Sequence, residues 1–515
     1  MLRWLGGGLI PILAVPPDKT SGSGVDVFKE SAPSTKVGSK RSPLLMLAVI
    51  IVVAAVVIGA GLYFVVFHPS TASPGGSGKS GKVAITIWQD FSNTEFPSFL
   101  SVLNSFKAAN PNITVSWVNQ TTPSPSGLVT AAAAGTAPNV IIGTSDFEGS
   151  TLFYHNLILD LSSYLNSSFL SKYSSTALGD VTYQNGSVYA LPLNVNGVAL
   201  IYNKQLVPTP PATTNQLISI GENITVITGG HYVTAGLAYG VNIDGGYSFA
   251  AFQSGFGGRL FSSNGAPTIN TSATVNAITF LNNLTYQYHI QPPGITSTAT
   301  AISLFETGHA GMTIDGPWDI QEYLGALGAS NVGVAPIPTI SQTGLHPLPF
   351  LGSIAAAVLT QKSSHASVAQ VNASISFIKY LTSSQSELKF WNSSGDFPSI
   401  TSDMNFVEGL HVSWASGFLN QFQNYSQKFI NLPQLGFYWT PYGTYISSYL
   451  ANSTSAAAAA QGIQNSIVQN MTINHITPSY QLSGSPYSQS LVSETSQATA
   501  QNMLVAMPAA AEIRY

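Results

Sequence analysis

The 515-residue sequence contains no cysteine and very few charged residues. Without cysteine there are no disulfides, thiolate metal ligands or thiol nucleophiles, so a large hydrophobic core has to stabilise the folded part. Charged residues make up 7% of the chain, far below the roughly 25% of an ordinary soluble domain. The net charge of −4 comes without a basic stripe, which argues against a nucleic-acid partner. We expect neither a metal nor a cofactor.

One stretch near the N-terminus, Leu44 to Phe67, runs for 24 residues without a charge. As a helix it is about 36 Å long, enough to cross a hydrocarbon layer of about 30 Å. The positive-inside rule places the N-terminus in the cytoplasm and the rest of the chain outside. The basic residues that precede the stretch are Arg3, Lys19, Lys29, Lys36, Lys40 and Arg41. We therefore expect a single-pass membrane anchor.

A cleaved secretory signal is the alternative, although its apolar region is normally shorter. A pilin-like signal cut near Lys40 would remove the first 41 residues and leave the helix attached. After the helix, residues 68–81 are rich in Pro, Gly, Ser and Thr, which is typical of a flexible tether. Residues 472–515 form a polar extension to which the sequence assigns no function.

Strand and helix patterns alternate from Lys82 onward. Val83–Trp88 and Ile113–Val118 have the composition of strands, and Phe96–Ala109 between them has that of a helix. Ala310–Ile314 is short, apolar and bounded by glycines, as a buried strand would be. The pattern predicts an α/β fold with parallel βαβ units.

Twelve Asn-x-Ser/Thr sequons follow the apolar stretch and none precedes it. This distribution predicts a glycosylated external surface, which would explain how so uncharged a chain stays soluble. Paired carboxylates lose their charge in acid, so a chain with few of them also suits an acidic exterior. The predicted glycosylation sites are Asn112, Asn119, Asn166, Asn185, Asn223, Asn270, Asn283, Asn372, Asn392, Asn424, Asn452 and Asn470.

Three motifs occur in an order that resembles the maltose/maltodextrin-binding proteins of ABC importers. They are Tyr189–Lys204, Phe305–Trp318 with its Gly-Pro-Trp turn, and Pro433–Trp439. The resemblance, which favours an archaeal member, implies a two-lobe periplasmic-binding-protein-like fold of type II that closes on its ligand. The segments expected are a cytoplasmic tail 1–43, an anchor 44–67, a tether 68–81, an N-terminal lobe 82–194 with 350–400, a C-terminal lobe 195–349 with 401–471, and an extension 472–515.

The resemblance also implies a sugar site, in which aromatic platforms stand beside polar groups that bind hydroxyls. It implies that Tyr247, Trp318 and Trp439 stack on sugar rings from the C-terminal lobe. Asp146 would bind a hydroxyl from the N-terminal lobe, and Asp90 would be a polar group near the end of the first strand. For each aromatic residue, ordinary core or surface packing is the alternative.

Three positions depart from the family pattern. Gly143 stands where the family has a tryptophan, Phe147 where it has an arginine, and Asn196 where it has a glutamate. We expect Phe147 and Asn196 to contact the ligand, giving a site with more apolar contact and less charge. Protonation cannot change Asn196, which again suits a low external pH.

The sequence therefore predicts a membrane-anchored extracellular receptor that passes an oligosaccharide to the permease subunits of an ABC importer. A glycoside hydrolase is disfavoured because no carboxylate pair lies in a hydrolase motif, so no catalytic residue is assigned. A surface glycoprotein or glycan-binding protein without a transport role, and a receptor for a non-sugar solute, remain the alternatives.

Overall fold

The structure is a computed structural model that describes residues 82–119, 125–143, 149–240, 245–295, 297–429 and 431–478. The predicted anchor 44–67, the tether, and the extension beyond residue 478 lie outside these ranges, as do Asp146 and Phe147. Among the helices of the described ranges, none has the length and apolarity needed to cross a membrane.

The described elements alternate between strands and helices through most of the chain. The strands are β1 (Val83–Gln89), β2 (Ile113–Asn119), β3 (Val140–Ile142), β4 (Leu191–Pro192), β5 (Asn194–Val195), β6 (Ala199–Asn203), β7 (Val226–Thr228), β8 (His231–Ala238), β9 (Ala310–Asp315), β10 (Val332–Ala335), β11 (Phe350–Leu351), β12 (Ala355–Val358), β13 (Phe397–Pro398) and β14 (Gln427–Lys428).

The α-helices begin with α1 (Phe96–Ala109), α2 (Pro125–Ala133), α3 (Ser150–Tyr154), α4 (Ser167–Leu170), α5 (Ser175–Asp180), α6 (Thr214–Ile224), α7 (Gly245–Gly255), α8 (Ser272–Tyr286) and α9 (Thr298–Glu306). They continue with α10 (Ile320–Leu327), α11 (Gln361–Ser364), α12 (Val368–Leu381), α13 (Ser384–Ser394), α14 (Thr401–Gly409), α15 (Ser413–Asn424), α16 (Trp439–Leu450) and α17 (Ala456–Ile473). Two 3₁₀ turns, Pro317–Asp319 and Pro433–Phe437, precede α10 and α16.

The first sheet has the strand order β2-β1-β3-β12-β4. Strand β1 runs parallel to β2 and β3, and Val83 pairs with Ile113. The predicted βαβ unit is therefore confirmed. Its helix α1 buries Phe99 and Phe106 against this sheet because they recur at helical spacing on one face.

The second sheet has the order β10-β6-β9-β8-β7. All six residues of β9 are buried, which confirms the predicted buried strand. Alternate residues of β6 belong to different hydrophobic clusters, with Leu200 in one and Ile201 in the other. The sheet is therefore covered on both faces, as alternating side-chain directions require.

Three chain segments connect the two sheets. The first joins β4 to β6 and contains β5, the second runs from β11 to β12, and the third contains β13. Strand β5 pairs with β13, and Asn196 forms an antiparallel bridge with Gly352. The two sheets with their separate clusters form two lobes, and these paired segments are the connections between them.

Candidate functional site

A cavity of about 290 Å³ is lined by residues from both lobes and from a connecting segment. The end of β1 contributes Asp90, and the end of β3 contributes Gly143. Asn196 comes from the first connecting segment. Tyr247 lies in the first turn of α7, and Trp318 lies in the 3₁₀ turn after β9. The strand ends of two α/β lobes thus meet around one space, as in many ligand clefts.

The Asp90 carboxyl group packs directly against Gly143 on the first-lobe side of the cavity. A Cβ atom added at Gly143 would lie 1.5 Å from Oδ1 of Asp90. Gly143 also has φ of +123°, a conformation that side chains rarely adopt. A tryptophan at this position, which the family resemblance implies, would therefore force the Asp90 carboxylate to rotate away and would strain the backbone.

Asn196 presents an amide to the cavity from a well-anchored backbone. Its N–H donates to the carbonyl of Gly352 at 2.9 Å, and its carbonyl accepts from the Gly352 N–H at 2.9 Å. The side chain is buried, and its Oδ1 has no hydrogen-bond partner among the described residues. An acceptor held in this way is suited to a ligand hydroxyl.

Tyr247 forms part of the second-lobe wall. Its hydroxyl donates to the carbonyl of Phe350 at 3.1 Å, and its ring lies 6.0 Å from the Phe350 ring at a tilt of 56°. The residue is 5% exposed. The hydroxyl and one edge of the ring are thus committed to the protein, and the cavity receives only a small part of the side chain.

Trp318 is half-buried and lies against the backbone of Gly316. A Cβ at Gly316 would come within 2.2 Å of the Trp318 ring atoms. The backbone carbonyl of Trp318 accepts a hydrogen bond from the hydroxyl of Thr94, 2.6 Å away in the first lobe. The Gly-Pro-Trp turn thus fixes an indole at the cavity and connects the two lobes beside it.

Asp315 and Asp319, on either side of Trp318, form a carboxyl pair. Burial, followed by repulsion from Asp315, raises the pKa of Asp319 to about 9. Burial also raises the pKa of Asp315, although Tyr323 and the Gly316 N–H donate hydrogen bonds to it. Asp319 is therefore protonated at neutral pH and donates to Asp315. The pair presents less negative charge to the cavity than its two carboxyl groups suggest.

Glu95 and Asp396 form a second carboxyl pair next to the first lobe. Burial and then repulsion from Asp396 raise the pKa of Glu95 well above its ordinary value. Burial also raises the pKa of Asp396, which accepts hydrogen bonds from Ser394 at 2.7 Å and Asn194 at 3.1 Å. In the described ranges, no group of three or more His, Cys, Asp or Glu side chains could hold a metal ion.

Of the ligand-binding residues predicted from the sequence, Asp90, Asn196, Tyr247 and Trp318 line the cavity together. Trp439 is not among its lining residues: it is 7% exposed and belongs to the hydrophobic cluster of the second lobe. Its ring centroid lies 5.0 Å from that of Tyr438. This placement matches ordinary core packing, the alternative given for each aromatic, and ligand contact by Trp439 stays a prediction. No contact can be described for Asp146 and Phe147.

Sequence reasoning missed Glu95 and Asp396 as neighbours of the site. The two residues belong to different segments of the first lobe that are far apart in the sequence, and no local motif connects them. Asp315 and Asp319 carried a usable signal, because they flank the Gly-Pro-Trp turn at a spacing of four residues. Two carboxylates so close to a buried strand end indicate a protonated pair.

The twelve sequon asparagines all lie in the described ranges. Ten of the asparagines are exposed, and Asn283 and Asn470 are half-buried. Asn470 also donates its side-chain amide to the carbonyl of Ser466 at 2.9 Å. The predicted modification sites are thus accessible at most positions, and the modification itself stays a prediction.

The profile of the family described as bacterial extracellular solute-binding protein matches residues 101–404, more than half of the chain. The chain is 28% identical to the maltotriose-binding protein of Pyrococcus abyssi over 276 residues. This alignment covers 53% of the chain and 57% of that protein. It is 27% identical to the maltooligosaccharide ABC transporter solute-binding lipoprotein of Streptococcus pneumoniae TIGR4. That alignment covers 56% of the chain and 67% of the lipoprotein.

Among solved structures, the maltose/maltodextrin-binding domain MalE of Bdellovibrio bacteriovorus bound to maltotriose aligns with a TM-score of 0.70. That alignment has 26% identity and covers 76% of this chain and 100% of that domain. These similarities confirm the resemblance to maltodextrin-binding proteins and the two-lobe α/β fold. Since the relatives are named as binding proteins, they also confirm the expectation that the chain is not an enzyme.

Proposed function

The chain belongs to the bacterial extracellular solute-binding protein family, and we propose that it is a receptor that binds a maltooligosaccharide outside the cell and delivers it to an ABC importer. The observation that carries this proposal is the cavity to which both lobes contribute, with Asp90 on one side and Trp318 on the other. A ligand that bridges two lobes stabilises their closed arrangement, and this population shift is a signal that a permease can read.

The chemistry of the cavity supports a neutral, hydroxylated ligand. The Trp318 indole offers a flat apolar surface for the C–H face of a sugar ring, and the Asn196 amide offers an acceptor for a hydroxyl. The protonated Asp319 carboxyl donates its proton to Asp315 and therefore adds an uncharged acceptor to the cavity. The names of the relatives, which bind maltotriose and maltooligosaccharides, make α-linked glucose oligomers the first candidates.

We further propose the lobe boundaries 82–194 with 350–400 and 195–349 with 401–471, and attachment to the membrane through residues 44–67. Asp146, Phe147 and Trp439 are proposed as additional ligand contacts. The partners would be the oligosaccharide and the permease subunits, and the folded part would lie on the extracellular side.

Calorimetric titration of the full chain with maltotriose, at pH 3 and pH 7, tests the binding. We expect one site per chain, and a ligand present at about 100 times its dissociation constant should stabilise the fold by about 2.7 kcal/mol. Cellobiose, trehalose and a xylo-oligomer are the matched comparisons. If maltotriose does not bind and another solute does, the assignment of a maltooligosaccharide as the ligand is wrong.

Protease treatment of intact cells tests the topology. Cleavage in the tether 68–81 should release a large soluble fragment that still binds the sugar. If the fragment is protected until the cells are lysed, the proposed external location is wrong.

A further inference from the structure

A second cavity, of about 240 Å³, lies in the second lobe behind α7. Helix α8 supplies Leu281 and Tyr286 to its wall, and α16 supplies Tyr442 and Ile446. Phe249 closes it on the side of α7, with its ring centroid 5.2 Å from that of Tyr442. None of its lining residues belongs to the lining of the cavity between the lobes. It is therefore a separate space.

Two polar atoms of residues that line this second cavity are deeply buried and have no hydrogen-bond partner among the described residues. They are the hydroxyl of Tyr442, a residue with 0% exposure, and Oε1 of Gln291, a residue with 3% exposure. The amide nitrogen of Gln291 is already used, since it donates to the carbonyl of Tyr239 at 3.1 Å. A buried polar atom without a partner destabilises a fold, so both atoms favour an occupant that hydrogen-bonds to them.

The lining also determines the charge and size of such an occupant. It contains no Asp, Glu, Lys, Arg or His, so a charged molecule would lose its hydration without compensation. An engineered apolar cavity of about 150 Å³ holds benzene, so the larger volume here suits one substituted six-membered ring. Aromatic and aliphatic walls favour a ring with at least one apolar face.

We propose that this second cavity is a binding site for a neutral, hydroxylated ring, either a single sugar unit or a cyclic alcohol. The ring packs between Tyr286 and Ile446, and its hydroxyl groups satisfy the Tyr442 hydroxyl and the Gln291 carbonyl. Tyr286 is 47% exposed and stands at the edge of the cavity, where a ligand can enter.

The site is connected to the cavity between the lobes through Tyr239. Gln291 donates to the Tyr239 carbonyl, and the Tyr239 hydroxyl accepts a hydrogen bond from Ser248 at 2.9 Å. Ser248 lines the cavity between the lobes, next to Tyr247. An occupant of the second site thus contacts the same helix, α7, that forms a wall of the first.

The test is a titration of the full chain with D-glucose and, separately, with cyclohexanol, in the presence of excess maltotriose. We expect saturable one-to-one binding of at least one of them, and the two titrations distinguish the sugar from the cyclic alcohol. Toluene should bind at least threefold more weakly than cyclohexanol, and benzoate should not bind. The proposal would be overturned if neither D-glucose nor cyclohexanol shows saturable binding, or if toluene binds with the same affinity as cyclohexanol.

Variants at exposed positions of α16 localise the binding. Ser447 lines the cavity and is exposed, so Ser447→Trp should cover it and weaken binding at least tenfold. Thr444→Trp, also exposed and on the same helix, is the matched control and should leave the affinity unchanged. Tyr442→Phe should weaken binding about three- to tenfold, the scale of one lost hydrogen bond, without lowering the melting temperature. Unchanged affinity in Ser447→Trp would place the ligand elsewhere and overturn the site.

The result of the small-ring titration does not depend on whether the protein is a maltooligosaccharide receptor. The two cavities share no lining residue, so a protein that fails to bind maltotriose still gives the expected titration with the small ring. Conversely, failure of the small-ring titration leaves the maltotriose experiment unaffected.

Discussion

The hydroxyl of Thr94 in the first lobe donates a hydrogen bond of 2.6 Å to the backbone carbonyl of Trp318 in the second. The bond lies beside the cavity to which both lobes contribute, and its acceptor is the backbone of the residue that presents the indole. It therefore stabilises the arrangement in which the lobes face each other and, at the same time, fixes the platform.

Thr94→Val should weaken sugar binding about two- to tenfold, because one neutral hydrogen bond of about 0.5–1.5 kcal/mol is lost from the closed arrangement. Titration calorimetry gives the affinity, and small-angle scattering without ligand should show a larger radius of gyration than for the unmodified chain. Thr114→Val, at an exposed position of β2, is the matched control. Unchanged affinity in Thr94→Val would mean that the bond does not bias closure.

Trp318→Ala should weaken binding by about 1–3 kcal/mol, the scale of a buried aromatic contact. Its melting temperature without ligand should change little because the indole is only half-buried. Trp117→Ala is the control, since that half-buried ring packs 5.0 Å from Phe96 in the first lobe. We expect the control to lose stability and keep its affinity. If Trp318→Ala instead loses stability and keeps its affinity, the indole packs within the protein and does not contact the ligand.

Stability should fall as the pH rises from about 4 to about 9, because five buried carboxyl groups, those of Glu95, Asp315, Asp319, Glu387 and Asp396, have raised pKa values. The pKa of Asp319 rises from 3.8 to about 9, and that of Glu387 from 4.5 to about 8, in both cases mainly through burial. Below the unfolded pKa both states are protonated and the stabilisation is complete. Above it the unfolded chain ionises first, so stability is lost until the folded pKa is passed. The pKa of Glu95 is raised in the same direction.

Thermal unfolding between pH 3 and pH 10 measures this dependence. Asp319→Asn should flatten the curve, since an amide replaces the neutral carboxyl and does not ionise. Glu222→Gln, at an exposed position of α6, is the control and should leave the slope unchanged. A chain whose stability rises between pH 4 and pH 8 would contradict the assigned protonation of these groups.

Asn196→Asp should destabilise the protein more at pH 7 than at pH 3. The new carboxylate would lose hydration in a partly buried cavity whose lining already holds Asp90 and Asp315, and like charges in such a space repel. In acid the carboxyl is neutral and nearly isosteric with the amide. Melting curves of the variant and the unmodified chain at both pH values give the comparison, and an equal effect at both would show that charge is not what position 196 avoids.

Sequon occupancy should be lowest at Asn283 and Asn470, whose side chains are half-buried while the other ten are exposed. Mass spectrometry of glycopeptides from the native source measures the occupancy of each site. Asn452, exposed in the turn before α17, is the internal comparison. Full modification of Asn470 would mean that glycans are added before α17 packs.

The sequence predicted the parallel unit β1-α1-β2 and the buried strand β9 because each has a strong local pattern. It also placed Asp90, Asn196, Tyr247 and Trp318 at one site through their motifs. The helices α6, α14 and α15 were not predicted. Apolar residues do recur at helical spacing in α15, where Trp414, Phe418 and Phe422 are buried, but they lie among many polar residues. Caps such as the Thr213 hydroxyl, which accepts from the Gln216 N–H at the start of α6, determine where such helices begin.

Tertiary contacts account for the rest. The family motif at Pro433–Trp439 predicts a ligand contact for Trp439, and this contact stays a prediction, but the burial of the ring beside Tyr438 by the packing of α16 against α7 could not be read from the motif. The pair Glu95 and Asp396 forms only because a connecting segment brings residues that are distant in the sequence together. No local pattern encodes such a pair.

The contact between Asp90 and Gly143 links the position of one cavity group to the absence of a side chain at another. A Cβ atom at position 143 would lie 1.5 Å from Oδ1 of Asp90, so any larger residue there would force the carboxylate to rotate away. The φ of +123° would add backbone strain. The glycine therefore keeps the Asp90 carboxylate where it lines the cavity, and a change at residue 143 acts on the ligand through the position of Asp90.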